Sequence, residues 1–427
     1  MTDSFFTQRR ALLKGMAATA TLGGLHGIAC ANELLPKTTR RVVVVGGGYG
    51  GTIAAKYIRM MDPSIEVVLI ERNRRHVSCP FSNLVIGGIR RFDDLIMNYD
   101  RLAANHGIHM IFGEAAGIDA DARAVILADG RLSYDRLILS PGIDFRFDEI
   151  EGYDPATTPQ ILPHAWQAGA QTELLHRQLV DMPDGGSVVM SLPLAPYRCP
   201  PGPYERANMI ALHLKRHKPK SKLIVLDANP DIVAKVALFR KGWAKHYEGI
   251  IDYRPAQKVT GIDAQQRSVL VEGIEKVRGD VVNVIPPQRA GLLAVQAGLA
   301  GKDRRWCGVD PTTFESTVAQ NIHVIGDACV AGAMPKSGYS ANSQAKVCAV
   351  NVVALLNGQE PVGMSAINVC YSFITDREAV SIAGVYRVVD GKIVGVPNSG
   401  GLSPDLSEKE AMHAESWMRN IRAEMTT

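Results

Sequence analysis

No Cys-x-x-Cys pair and no cluster of cysteine with histidine occurs in this 427-residue chain, so no metal site is expected. Cys-x-x-Cys-His is also missing, so the polypeptide attaches no c-type haem of its own. No period of roughly 20–50 residues recurs, which sets aside solenoids and propellers. Charge of one sign is not in excess: 47 Lys and Arg face 43 Asp and Glu, and beyond residue 31 the count is 44 against 42. Nucleic acid is therefore not expected as a partner. The apolar run at residues 16–28 falls short of the about 20 residues that span a bilayer, and no transmembrane segment is expected. What is present is a composition of 46% hydrophobic and 21% charged residues, that of a soluble globular protein. The chain is long enough for two or three domains.

Residues 1–31 read as a removable leader rather than as part of the fold. TQRRALLKG, residues 7–15, sets Arg9 and Arg10 ahead of the apolar run, which ends in the small-x-small cleavage pattern Ala29-Cys30-Ala31. QRRALLK resembles the twin-arginine type of signal. A lipoprotein signal acylated at Cys30 is the alternative, with Gly27 standing where leucine is usual. The twin-arginine route exports folded proteins, often with a cofactor in place, so a periplasmic, cofactor-bearing protein is expected.

RRVVVVGGGYGGTIAAKYI, residues 40–58, opens the first folded unit. A buried-strand run at 41–45 leads without a gap into Gly46-x-Gly48-x-x-Gly51, then a helical pattern, then a second strand, EVVLIE, ending in Glu71. Gly46 serves the tight turn, Gly48 the approach of backbone to a pyrophosphate, and Gly51 the close packing of helix on strand. The helix N-terminus then faces the phosphates, and Glu71 is spaced to take ribose hydroxyls. LSYDRLILSPGID (132–144) and NIHVIGDACV (321–330) resemble segments that close the FAD domain of disulfide-reductase-like flavoproteins. That likeness selects FAD and sets Asp327 toward its ribityl or phosphate region; a plain turn aspartate is the alternative. KSGYSANSQAKVCAVNVVALL, from Lys336 through Ser340 and beyond, starts a long helix. In such flavoproteins its N-terminus points at the flavin pyrimidine, where positive potential favours the reduced, anionic ring. Lys336 and Ser340 are therefore cofactor-binding candidates.

A second strand–turn–helix–strand unit follows: SVVMSL (187–192), a turn, YERANMIALHLKRH (204–217), and SKLIVLD, ending in Asp227. This is the plan of an NADH domain, but its turn carries Pro193, Pro196, Pro200, Pro201 and Pro203. Phosphate cradling needs bare backbone N–H groups, which proline lacks. The frame is kept and nicotinamide binding is not expected. Electrons must then arrive from elsewhere, and Cys199, beside Arg198, Glu205 and Arg206, is the candidate carrier. Its alternative fate is that of a small buried hydrophobe.

RCPPGPYERA (198–207), HVSCPFSNLVIGG (76–88), VIPPQRAG (284–291), MPKSGYSANSQAK (334–346) and NVCYSF (368–373) together closely resemble the flavoprotein subunit of flavocytochrome c sulfide dehydrogenase. The resemblance runs over essentially the whole chain beyond the leader. It implies an α/β protein with two Rossmann-like (FAD/NAD(P)-binding type) domains and a C-terminal α+β interface domain. The expected boundaries are 32–150 with 285–360 for the FAD domain, 151–284 for the NADH-domain-like unit, and 361–427 for the interface domain. The resemblance implies that Cys79 bonds covalently to the flavin 8α-methyl carbon, which raises the flavin potential and prevents cofactor loss. It implies that Cys199 and Cys370 form a redox disulfide, that hydrosulfide attacks one of its sulfurs to give a persulfide, and that two electrons then pass to the flavin. Glu205 matches a proton-accepting carboxylate; an acid opposing the helix dipole is the alternative. Trp417 matches a residue near the flavin, although packing is the commoner role of such a tryptophan. Cys307, Cys329 and Cys348 have no assigned role, and the last two lie in apolar runs that suit buried thiols.

The activity so implied is oxidation of sulfide, with electrons passing to a separate c-type cytochrome subunit. A sulfide:quinone oxidoreductase shares the fold and the cysteine chemistry but needs a membrane-facing apolar surface, and the C-terminal EKEAMHAESWMRNIRAEM is charged. A non-catalytic electron relay would have no use for the cysteine pair. A type II NADH dehydrogenase would need the missing second glycine loop.

Overall fold

The computed structural model describes residues 32–38, 40–272 and 276–427; the leader reading rests on residues 1–31, outside that range. β1 (Arg41–Val45) is buried at every position, as befits a strand covered on both faces. α1 (Gly51–Met61) crosses over to β2 (Glu66–Glu71), and β3 (His109–Phe112) and β4 (Arg136–Leu139) follow. The chain then leaves this sheet. β5 (Ser187–Leu192), α2 (Gly202–His217), β6 (Lys222–Asp227), α3 (Val236–His246), β7 (Ile251–Arg254) and β8 (Val281–Val284) build a second parallel sheet, ordered β7-β6-β5-β8. β9 (Ile322–Val324) returns to the first, completing the parallel order β9-β4-β1-β2-β3.

The second sheet divides two apolar cores because neighbouring side chains on a strand face opposite ways. Val188, Met190 and Leu192 of β5 join the main core, while Val189 joins a smaller one with Leu226, Val282 and Val284. The main core also takes in the first sheet and the C-terminal layer. That layer begins after α4 (Gly338–Leu356) with β10 (Ser365–Phe373) and β11 (Ala379–Val389), antiparallel from Ser365 opposite Arg387 to Phe373 opposite Ala379. β12 (Lys392–Gly395) pairs on the other side of β11. α5 (Glu408–Thr426) closes the chain, capped by Ser407 Oγ, which accepts from Glu410 N. Its buried residues Ala411, Ala414, Met418, Ile421 and Met425 make one stripe at helical spacing, laid against β10, β11 and α1. Among the described residues no helix is long and apolar enough to cross a membrane.

Candidate active site

The glycine fingerprint between β1 and α1 is bare for physical reasons. Gly46 has φ +103°, and a Cβ there would lie 2.3 Å from Ser140 O; one at Gly51 would lie 1.8 Å from Gly46 O. At Gly48, by contrast, the nearest atom to an added Cβ is His76 Cε1 at 3.9 Å, so that face of the backbone is open. Glu71 Oε2 accepts from Gly47 N at 2.6 Å, which places the acid of β2 at the rim of the same turn. Asp327, in the tight turn after β9, has a buried carboxyl oxygen with no partner, and burial raises its pKa. An orphaned acid of that kind, beside an open glycine face at a helix N-terminus, fits a ligand rich in hydroxyls and phosphates. FAD fits these residues.

Beyond Asp327 a cavity of about 90 Å³ lies where the two sheets and the C-terminal layer meet, lined by Cys79, Cys199, Cys370, Glu205, Tyr339 and Trp417 among others. Since a water needs about 10–15 Å³ of such volume, there is room for a small anion and a few waters. Cys199 and Cys370 are free thiols in this structure and lie within hydrogen-bonding reach of each other. The bond from Cys199 pulls the Cys370 thiol down to about 7 against the effect of burial, with the Lys235 ammonium helping. The same bond, together with burial, the charge on Cys370 and that on Glu205, pushes Cys199 up.

The Cys199 turn is held by its backbone. Cys199 takes the left-handed conformation, φ +57°, and its N donates to Lys336 O at 2.7 Å. Arg198 N donates to Gln288 Oε1, Ala195 N to Asn229 Oδ1, and Gly202 N to Cys199 O. Four of the turn's amides are thus committed to the protein, and its prolines have none to offer. Asp227 is equally committed: Oδ2 accepts from Tyr204 and Tyr253 hydroxyls at 2.7 and 2.9 Å, and Oδ1 from Asn229 N and Nδ2. The acid that would hold a ribose is locked in place, fully buried.

Glu205, in the first turn of α2, accepts from Phe373 N at 2.9 Å and Asn83 Nδ2 at 2.7 Å; burial raises its pKa nonetheless. Asn83 Oδ1 in turn accepts from Arg206 Nε, whose guanidinium is buried over the Trp166 ring and bonds the His164 and Ala165 carbonyls. Cys79 Sγ accepts from Ala168 N at 3.5 Å and faces Trp166 O. Asn368 Oδ1 accepts from the Ser337 and Ser340 hydroxyls and so fastens β10 to the start of α4. Trp417 stacks on Phe81, ring centroids 6.3 Å apart.

Lys336 is outside this lining. Its ammonium donates to the Asp327 and Cys329 carbonyls and sits 3.8 Å above the Trp306 ring, bracing the Asp327 turn from behind. Cys307, Cys329 and Cys348 are buried, with thiols pushed up by burial. Sequence reading missed Lys235 and Trp166. The buried charge of Arg206 on the apolar side of α2 was the available signal for that corner of the cavity.

The two sheets, the glycine turn and the cysteine-lined cavity define an FAD-dependent oxidoreductase of the pyridine nucleotide-disulphide oxidoreductase class, whose family model matches residues 40–178. Residues 172–286 match the model described as the sulfide dehydrogenase [flavocytochrome c] flavoprotein chain, central, and residues 364–426 match flavocytochrome c sulphide dehydrogenase, flavin-binding. The chain is 62% identical to the sulfide dehydrogenase [flavocytochrome c] flavoprotein chain of Chlorobaculum thiosulfatiphilum over 47 residues, 11% of this chain and 98% of that sequence. It belongs to the family of flavocytochrome c sulfide dehydrogenase flavoprotein chains and is a sulfide-oxidising flavoprotein. A 93-residue stretch, 22% of this chain and 21% of the relative, is 32% identical to a sulfide-quinone reductase of Aquifex aeolicus (strain VF5). The fold matches the crystal structure of the sulfide:quinone oxidoreductase from Aquifex aeolicus with TM-score 0.71 at 19% identity, over 90% of this chain and 92% of that one.

Proposed function

We propose that this chain is the flavoprotein subunit of an exported sulfide dehydrogenase, working through a Cys199–Cys370 disulfide and an FAD held covalently by Cys79, with a c-type cytochrome as electron acceptor. The observation that carries this reading is the meeting of Cys199 and Cys370, from distant parts of the chain, in one cavity with Cys79. Hydrosulfide attacks one sulfur of the disulfide: a new S–S bond forms, the Cys–Cys bond breaks, and its electron pair stays on the other sulfur as a thiolate. Arg198 and Arg206 line the cavity with positive charge that favours an anionic substrate. Glu205 takes the proton that the outer sulfur gives up. Bound FAD supplies the two-electron acceptor. Gly46, Gly48, Gly51, Glu71 and Asp327 would hold its dinucleotide portion, and Ser340, bonded to Asn368, would steady the N-terminal end of α4 beside it.

Mixing the purified protein anaerobically with sulfide should bleach its flavin absorbance, while NADH should leave it unchanged. Rapid bleaching by NADH would sink the reading. The same preparation, precipitated in acid, should keep its flavin on the polypeptide; free flavin in the supernatant would remove the Cys79 linkage.

Delivery to a membrane quinone is the second reading, favoured by the stretch shared with the sulfide-quinone reductase. Against it, the apolar stripe of α5 is spent on packing inward. Sulfide-driven reduction of a short-chain quinone faster than of cytochrome c would select it.

A further inference from the structure

Lys235 stands at the head of α3, and its side chain runs into the core on the C-terminal side of the cysteine pair. Only 3% of the residue is exposed, and its backbone is left-handed, φ +58°, a conformation a lysine adopts only at a cost. Its ammonium donates to Cys370 O at 2.8 Å, Ser372 Oγ at 3.0 Å and Val380 O at 3.4 Å. All three partners are uncharged. A buried ammonium bonded only to neutral oxygens is costly unless a negative charge lies close by.

The candidates for that charge come from each packed element. α2 offers Glu205, the proline turn offers Cys199 with the opposing cation Arg198, α5 offers Glu410, and β10 offers Cys370. Cys370 is favoured by geometry. Residues two apart on a strand share a face, so the ammonium that bonds Ser372 Oγ and the Cys370 carbonyl lies on the side where the Cys370 sulfur projects. Glu205 is already bonded to Phe373 N and Asn83 Nδ2.

We propose that Lys235 is the buried counter-cation of Cys370, a positioning residue that places the negative charge of the reduced cysteine pair on Cys370 and leaves the proton on Cys199. The inference rests on the reading that the two cysteines form a redox disulfide. Two electrons and one proton then convert the disulfide to one thiol, Cys199, and one thiolate, Cys370. The lowering of the Cys370 thiol agrees with this order. Without the lysine, the same reduction must take up a second proton near neutral pH.

The test uses the flavin-loaded protein. Thiols are first labelled without reductant, then after anaerobic reduction with dithiothreitol and its removal, by brief iodoacetamide pulses across a pH series, with each peptide quantified by mass. In the wild type Cys370 should label with a midpoint near neutral pH and well ahead of Cys199. Lys235→Met should slow Cys370 labelling at neutral pH at least tenfold and move its midpoint upward, and Lys235→Arg should restore much of the rate. An unchanged Cys370 profile in Lys235→Met overturns the proposal. So does faster labelling of Cys199 than of Cys370 in the wild type, a readout that stands even if the methionine variant does not fold. Labelling of both cysteines before reduction would instead count against the disulfide, and the order of labelling would still decide the role of Lys235.

Discussion

At Glu205 two amide donors, Phe373 N and Asn83 Nδ2, favour the ionised carboxyl, while burial in the cavity wall opposes it and raises the pKa. A carboxyl so poised suits proton exchange with a sulfur species better than an ordinary surface acid does. Glu205→Gln should lower sulfide turnover by about 10²–10⁴-fold, the usual worth of a general base, with flavin content unchanged. Turnover within a factor of two of wild type would leave Glu205 as a helix-start acid. The variant should also be less stable by roughly 1–3 kcal/mol, because its NH₂ must face one of the two donors. The pH dependence has a definite sign. Folding raises this pKa, so wild-type stability is greatest below the unfolded carboxyl value, about 4.3, and falls as pH rises through the folded value. Glutamine has no such slope. The stability gap between wild type and Glu205→Gln should therefore narrow from pH 4 to neutrality, by an amount urea titrations at each pH can read.

The two strand–turn–helix units show how the same element order serves different ends. Around β1 and α1 the turn is open at Gly48; around β5 and α2 it is closed by its own hydrogen bonds and by Asp227, which has become the centre of a tyrosine–asparagine network. Asp227→Ala should remove the shared acceptor of the Tyr204 and Tyr253 hydroxyls and of the Asn229 backbone and side-chain amides, costing about 3 kcal/mol or more by the mechanism of broken buried networks. It should not change the response to NADH. Chemical denaturation and equilibrium dialysis test both halves, and a loss under 1 kcal/mol would mean that water repairs the network. Both units are legible in the sequence because strand runs, glycine spacing and proline crowding are local signals. Cys79, Cys199 and Cys370 are legible because they sit in long, unusual motifs. Lys235 is not: it lies in an ordinary segment, and only the fold brings β10 beside it. Nor is the inward turn of Lys336, which depends on a Trp306 ring distant in sequence.

Across the whole molecule, α5 ties the far end of the chain to the cofactor helices. Glu424 accepts from Lys346 Nζ at 2.6 Å and from Asn342 Nδ2 and Tyr57 hydroxyl at 3.0 Å each, joining α4 and α1. Arg422 donates to the Asp94 and Ile96 carbonyls, and Arg90 pairs with Glu415. Trp417 of the same helix lines the cavity, so the clamp that steadies the fold also sets one wall of the site. Burial alone would raise the Glu424 pKa, but the bonds from Lys346 and Asn342 outweigh it and hold the carboxyl below its ordinary value. A depressed acid contributes stability that is present above its unfolded pKa, about 4.3, and is lost as pH falls through the lower folded value. Bonds to a charged group contribute about 1.5–3 kcal/mol, discounted here toward 1–2 because part of the carboxyl sees water. Glu424→Ala should therefore cost about 1–2 kcal/mol at pH 7 and progressively less below the unfolded value. Because α5 carries Trp417, the loosened helix should also change tryptophan emission and admit iodide quenching at pH 7. A deficit of equal size at pH 7 and pH 3 would show that the loss is one of packing, not of the charged clamp.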